Sequence, residues 1–310
     1  MKRWIKRASM ILGTIVVLLI MNSAVSQVLA AKADNTAERD PDTGLLTGAA
    51  PRTLGPEDSD KAVLFVHGFV GAGNNFNDLP DRVAAQGWRV EVMLLPGHGT
   101  RAKDFAKTTP EELIAAVEAR VEELKARYET VVIVAHSMGG ALATLVAAGD
   151  PVDGLVLGAP YFGVTDRWYY GLKPETWLKI SRPVVPWVYK GELFLQVNNK
   201  TVKDKIISYT WVPTRALQTL MELGKRASDP EVLEKISCPV LHIHAEGDAA
   251  ASPDAARAAV ERMSSEQKEY VALTRSNHHI FWDYESEEVM EHVLDFLKQF
   301  DQKQAETQVE

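Results

Sequence analysis

Cysteine is almost absent. Cys238 is the only one in 310 residues, so no disulfide can form within the chain and stability must come from a packed core. The thiol stands beside Pro239 at the start of an apolar strand and reads as a small packed residue. The same count excludes a lipid-modified cysteine near the amino terminus. Metal-ligand spacings are missing too. No residues stand at H-x-x-x-H or C-x-x-C, so neither a metal nor another cofactor is expected. A positive excess is also lacking. The formal net charge is −8, and it becomes −12 without residues 1–30, which hold four basic and no acidic groups. That balance argues against nucleic acid as a partner and against electrostatic docking on anionic membranes. There is no repeat or low-complexity tract. At 46% hydrophobic and 25% charged, the chain is globular and long enough for one large α/β domain.

The first 30 residues stand apart. Lys2, Arg3, Lys6 and Arg7 precede an uncharged run from Ala8 to Met21. Val28-Leu29-Ala30 and Ala31-Lys32-Ala33 then offer cleavage sites. A basic segment, a short apolar core and an A-x-A-like end describe a secretory signal peptide. The alternative is an uncleaved anchor over residues 8–31, marginal for the roughly 20 predominantly apolar residues a span needs. Either way the protein is expected to be exported, as a periplasmic or secreted protein or one held at the inner membrane.

Residues 31–60 are polar and read as a tether and lead-in, with any edge strands weak. From Lys61 strands and helices alternate. Ala62–Val66 is a strand, residues 75–86 a helix and Trp88–Leu95 a strand. Thr109-Pro110-Glu111-Glu112 matches a capping box opening a helix with Leu113, Val117, Val121 and Leu124 at helical spacing. The alternation resumes with a strand over Pro239–His244, a helix over Asp254–Met263, a strand over residues 267–273 and a closing helix over residues 286–300. This pattern predicts a mostly parallel sheet with helices on both faces, built from residues 61–160 and 231–300. Residues 301–310 form a polar tail. Between the halves, residues 161–230 hold Trp168, Trp177, Trp187 and Trp211 with Tyr169, Tyr170, Tyr189, Phe194 and Tyr209, and Pro174, Pro183, Pro186 and Pro213. Inserted at the end of the sheet where ligands bind, this stretch reads as a cap. Most of its aromatics are expected to fasten it to the core, and some to wall an apolar pocket.

The chain is organised around Thr130–Gly140. β-Favouring residues run into Ser137, two glycines follow, and a small-residue helix begins at once. Such a junction is a nucleophile elbow, A-x-S-x-G here, with the serine hydroxyl at the carboxyl edge of the sheet beside the amides of the new helix. The bland alternative is a serine that only caps the helix. A hydroxyl nucleophile needs a base, and the base needs an acid, in the chain order Ser, Asp/Glu, His, each past a strand end. Asp248 is the expected acid, with Glu246 and Asp254 as alternatives. His278 and His279 are adjacent candidates for the base. His242 and His244, on a buried strand, are expected to be satisfied core residues, and His292 to lie at the surface of the last helix. Acyl transfer further needs two donors aimed at the oxyanion. The amides of Met138 and Phe69 are the candidates, with Gly68 allowing close approach and His67 serving as support.

With these residues in view, the chain resembles the α/β-hydrolases, and among them bacterial carboxylesterases of the monoacylglycerol lipase type. The similarity spans Lys61 to Phe300. It rests on Leu64-Phe65-Val66-His67-Gly68-Phe69, on Pro96-Gly97-His98-Gly99, on the elbow, and on Ser276-x-His278 followed by Asp283. The last motif selects His278 over His279. Ala135, Ala245 and Asn277 stand where that pattern has glycine, and Asn277 is a residue that can reach positive φ. The resemblance implies a serine ester hydrolase acting on small acyl esters, with an inserted lid and a Ser137–His278–Asp248 triad. Thioesterase, amidase and peptidase chemistry use the same groups, and a non-catalytic binding module would keep the fold.

Overall fold

The computed structural model describes residues 2–165, 171–182, 184–191 and 195–307. Trp168, Tyr169, Tyr170, Pro183 and Phe194 lie outside them. The sheet order is β1-β3-β2-β4-β5-β8-β9, with β1 (Arg52–Leu54), β2 (Lys61–Val66), β3 (Arg89–Val92), β4 (Thr130–His136), β5 (Gly154–Gly158), β8 (Val240–Ala245) and β9 (Lys268–Leu273). Only the short edge strand β1 runs antiparallel. The others pair in parallel, with Val66 opposite Ala135 and His136 opposite Gly158.

Successive strand residues point to opposite faces, and two cores form. Leu64, Val66, Ile133, Ala135, Leu155 and Leu157 pack against α4 (Pro110–Lys125) and α5 (Met138–Gly149). Val63, Phe65, Val132, Val134, Val156, Leu241 and Ile243 pack on the other face against α2 (Leu79–Ala85) and α10 (Ser286–Thr307). The capping box of α4 closes as expected: Glu112 N–H donates to Thr109 Oγ1 at 3.2 Å, and Thr109 N–H to Glu112 Oε2 at 2.8 Å. Two expected elements are shorter. Residues 88–95 yield a strand only over Arg89–Val92, and the helix expected from residue 75 begins as a 3-10 turn over Gly73–Phe76.

The order of β2, β4, β5 and β8 sets the chemistry. The chain leaves β2 for β3 on one side and returns to β4 on the other, so the loops after β2 and β4 splay around a crevice at the carboxyl edge. Between β5 and β8 the insertion carries α6 (Pro174–Ser181), a two-stranded ribbon of β6 (Trp187–Tyr189) and β7 (Trp211–Pro213), and α7 (Thr214–Ala227). The short α8 (Pro230–Leu233) follows, and α7 packs on α5.

The amino-terminal segment is one long helix. Helix α1 (Lys2–Thr36) runs unbroken past both cleavage sites into the stretch read as a tether. Ser26 and Ala30 are buried, and Asp34 Oδ1 accepts Ala102 N–H at 3.2 Å from the short α3 (Ala102–Phe105). Beyond the helix, Leu46 N–H donates to Gly99 O at 2.7 Å. The lead-in is thus docked along the core, because its polar backbone groups find partners in the loop after β3. Residues Gly13–Thr36 are long and apolar enough to cross a membrane.

Candidate active site

Ser137 occupies the turn from β4 into α5 with φ 55° and ψ −119°, a strained conformation for a non-glycine residue. The neighbouring glycines permit it. A β-carbon at Gly139 would overlap the Val66 carbonyl oxygen, and one at Gly140 would stand 2.7 Å from Pro160 Cβ. Ala135 fits as the first small residue of the elbow, fully buried in the α4–α5 core. Ser137 makes no capping hydrogen bond to α5. Its Oγ instead lies 2.8 Å from His278 Nε2, so the capping alternative is set aside.

His278 Nδ1 lies 2.7 Å from Asp248 Oδ2. The carboxylate only accepts, so His278 carries its proton on Nδ1 and presents the Nε2 lone pair to the serine hydroxyl. Asp248 Oδ1 accepts the amides of Ala250 at 2.7 Å and Ala251 at 2.9 Å. Burial alone would raise this carboxyl. The charge and N–H of His278 and the N–H of His244 outweigh burial and hold it well below the ordinary carboxylate range. Glu246 is exposed, and Asp254 is exposed in the first turn of α9 (Pro253–Arg262). His279 is buried and makes no bond to Ser137. Among the described residues its Nδ1 has no partner, and burial, followed by the His136 ring, pushes it well below the ordinary imidazole range.

The loop that carries His278 is clamped from below. Glu285 accepts the amides of Thr274, Arg275 and Ser276, and Asp283 accepts those of Asn277, Asn198 and Asn199. Asn277 does not use positive φ, contrary to the reason its side chain seemed acceptable in place of glycine. Its Oδ1 accepts His278 N–H at 2.9 Å and Ala249 N–H at 3.2 Å, tying the base loop to the acid loop. His292 is half-exposed, with Nδ1 3.5 Å from Glu269.

On the oxyanion side, a β-carbon at Gly68 would stand 3.0 Å from both Ser137 Cβ and His136 Nδ1. Only glycine lets this backbone approach the nucleophile. Asn75 Oδ1 accepts Gly68 N–H at 3.0 Å and holds the turn. Among the described residues the amides of Phe69 and Met138 have no acceptor. His67 donates from Nδ1 to Gly68 O at 2.9 Å and accepts Leu95 N–H on Nε2 at 3.0 Å. Burial lowers it to about 4, so it is a neutral support.

One buried pair is satisfied as expected, but by the acid itself. His242 and His244 are buried on β8, and His244 Nε2 lies 3.1 Å from Asp248 Oδ2, the oxygen that also accepts His278. His242 Nε2 lies 3.1 Å from His244 Nδ1. The i,i+2 spacing placed both rings on one strand face, four residues short of the acid. That was the only signal in the sequence.

A cavity of about 250 Å³ lies over Ser137. Phe69, Tyr161, Val188, Val212, Leu217 and Met221 make it mostly apolar, with Lys190 the single cationic lining residue and no Asp or Glu among the described lining. Among the described aromatics between β5 and β8, Tyr161 and Tyr189 line the cavity, while Trp177, Tyr209 and Trp211 stand outside its lining. Tyr209 donates from its hydroxyl to Thr100 O at 2.9 Å, Trp211 packs on Tyr189 at 5.1 Å, and Trp177 is exposed. Among the described residues no cluster of three or more potential metal ligands occurs.

Comparison with known proteins bears on the family and the fold. The family described as Hydrolase_4, serine aminopeptidase S33, matches residues 57–285. The chain is 30% identical over 254 residues to a thermostable monoacylglycerol lipase of Bacillus sp. (strain H-257), covering 82% of this chain and 96% of the relative. It is 22% identical over 253 residues to a carboxylesterase of Bacillus subtilis (strain 168), covering 81% and 98%. A solved structure from a study of LipS and LipT, two metagenome-derived lipolytic enzymes, superposes with a TM-score of 0.73 at 24% identity, over 82% of this chain and 99% of that one. At that identity the likeness speaks for the fold.

Proposed function

Since the chain belongs to the Hydrolase_4 (serine aminopeptidase S33) family of α/β-hydrolases, we propose that it hydrolyses carboxylic esters of small acyl substrates through Ser137. The observation that carries the reading is the unbroken file Ser137–His278–Asp248, with hydrogen bonds of 2.8 and 2.7 Å. His278 takes the serine proton as Oγ attacks the ester carbonyl. The oxyanion is received by the amides of Phe69 and Met138, a contribution of about 3 kcal/mol per donor. His278 then hands its proton to the leaving alcohol. Water, activated by the same imidazole, releases the acid from the acyl-enzyme. Asp248 holds the tautomer and stabilises the imidazolium as it forms.

Peptidase chemistry is disfavoured by the cavity. An aminopeptidase must hold its substrate's ammonium group, and no carboxylate occurs among the described lining residues. The apolar wall supplied by the insertion suits an acyl chain, and on this reading residues 161–230 act as the cap. Purified protein should cleave p-nitrophenyl butyrate faster than the matched thioester or anilide. Ser137→Ala should abolish this at an unchanged melting temperature. Undiminished hydrolysis by that variant would falsify the assignment.

We further propose that the protein is exported and held at the membrane by α1. Four basic residues before an apolar span, and the docking of Ser26, Ala30 and Asp34, support retention of the helix. Intact mass of the protein recovered from membranes should include residues 1–36. A product starting at residue 31 or 34 would overturn retention.

A further inference from the structure

Two buried histidines continue the catalytic file on the far side of its acid. His242 and His244 stand at i,i+2 on β8, so both rings lie on the same strand face. Four N–H groups converge on Asp248: the amides of Ala250 and Ala251 on Oδ1, and His278 Nδ1 with His244 Nε2 on Oδ2. An ionised carboxylate accepts and never donates, so His244 carries its proton on Nε2. With His244 in its neutral form, Nδ1 is a bare lone pair, and the group facing it is His242 Nε2 at 3.1 Å, which donates. Each ring therefore sets the tautomer of the next. The charged and titratable groups around this file are His136 and His279 beside His278, and Tyr270 beside His242 with Arg257 lying over the tyrosine ring.

We propose that His244 is a positioning residue of the active site, holding Asp248 against His278 and moderating the basicity of His278, and that His242, by donating to His244 Nδ1, strengthens the bond His244 makes to the acid. The inference rests on Ser137 hydrolysis as the function. With His244 in place, Oδ2 divides its lone pairs between two imidazoles. Without it, Oδ2 has a single imidazole partner, and Asp248 pulls harder on the proton it shares with His278. The base then binds a proton at higher pH, so the acidic limb of the activity profile moves up. A change at His242 acts through the same path. With no donor facing Nδ1, the His244 N–H is a weaker donor to Oδ2, and more of the carboxylate's pull falls on His278.

The test compares His244→Phe, His244→Gln and His242→Phe with the wild-type chain on p-nitrophenyl butyrate, reading kcat/KM against pH beside the melting temperature. Phenylalanine fills the ring's volume without a donor. Glutamine places an amide nitrogen the same number of bonds from Cα as His Nε2 and keeps the donor. His244→Phe should lower kcat/KM about tenfold to a hundredfold and raise the midpoint of the acidic limb by about half to one pH unit. His244→Gln should recover both to within about threefold and a few tenths of a unit. His242→Phe should shift the limb in the same direction by less, and it alone decides the matter where His244→Phe does not fold. A wild-type pH profile in the folded phenylalanine variants, with activity lost only in step with melting temperature, would overturn the proposal. So would a glutamine variant no better than phenylalanine. A wild-type enzyme that a fluorophosphonate does not label at Ser137 would instead count against ester hydrolysis itself.

Discussion

Gly139 lies so close against Val66 that a β-carbon at 139 would overlap the Val66 carbonyl oxygen. The first turn of α5 is thereby pressed onto β2, the strand that delivers Gly68 and Phe69 to the nucleophile. This close backbone contact helps to join the elbow to the oxyanion loop. Gly139→Ala should destabilise the protein by about 3 kcal/mol or more, since the obstacle is backbone and not a flexible side chain. Urea unfolding and soluble yield measure it. A variant with wild-type stability would show that the elbow can back away from β2.

Asn277 offers a second test, on the opposite loop. Its Oδ1 accepts from both His278 and Ala249, and its Nδ2 donates to Asn198 in the insertion. Asn277→Gly restores the residue found in the resembling esterases yet removes all three bonds. It should lower kcat by about tenfold at little change in KM, because the loss falls on placement of the base. Steady-state kinetics with p-nitrophenyl butyrate would reveal a KM effect instead, if the asparagine held substrate.

The buried histidines set the response to acid. Burial lowers His67 to about 4, and burial, followed by the adjacent imidazoles, lowers His136 and His242 to about 3. Each stays neutral in the folded protein, while the unfolded chain protonates it near pH 6.5. Stability is therefore intact above the unfolded value and falls as pH drops toward the folded values. Each histidine contributes about 1.4 kcal/mol per pH unit between roughly pH 6 and 4. Asp248, held low, adds its own loss only further down, below the ordinary carboxylate range. The urea midpoint should drop steeply from pH 6 to pH 4, and unfolding at pH 5 should take up at least three protons by calorimetry in buffers of different ionisation enthalpy. A flat midpoint over that range would contradict this.

Lys190 is a strained element of the cavity wall. Burial pushes its ammonium down to about 8, and the described partner of Nζ is the Ser208 hydroxyl at 3.1 Å. A base lowered in the folded state destabilises the protein while protonated, and the penalty fades as pH rises from about 8 toward the unfolded value near 10.4. Lys190→Met should raise the melting temperature by a few degrees at pH 7, with the gain vanishing near pH 10. Scanning calorimetry at the two pH values reads both. A lower melting temperature at pH 7 would mean that the ammonium is better solvated than its burial implies.

What the sequence determined by itself was local. The elbow is legible because strand, serine, glycines and helix follow each other within a dozen residues. The order of Ser137, Asp248 and His278 is legible because each partner follows its own apolar strand. The tertiary structure decided what depends on neighbours far along the chain. It chose His278 over His279 by bringing a single ring within reach of Ser137. It chose Asp248 over Glu246 by burying one and exposing the other. It turned Asn277 from a backbone substitute into a bridge, and tied Asp34 and Leu46 to the core where polarity read as a tether. His242 and His244 show the reason most plainly. On β8 they look like core residues, because burial is a property of the strand. Their bond to the acid depends on how the chain turns after Ala245, and only the folded loop, with its two amides on Asp248, sets that direction.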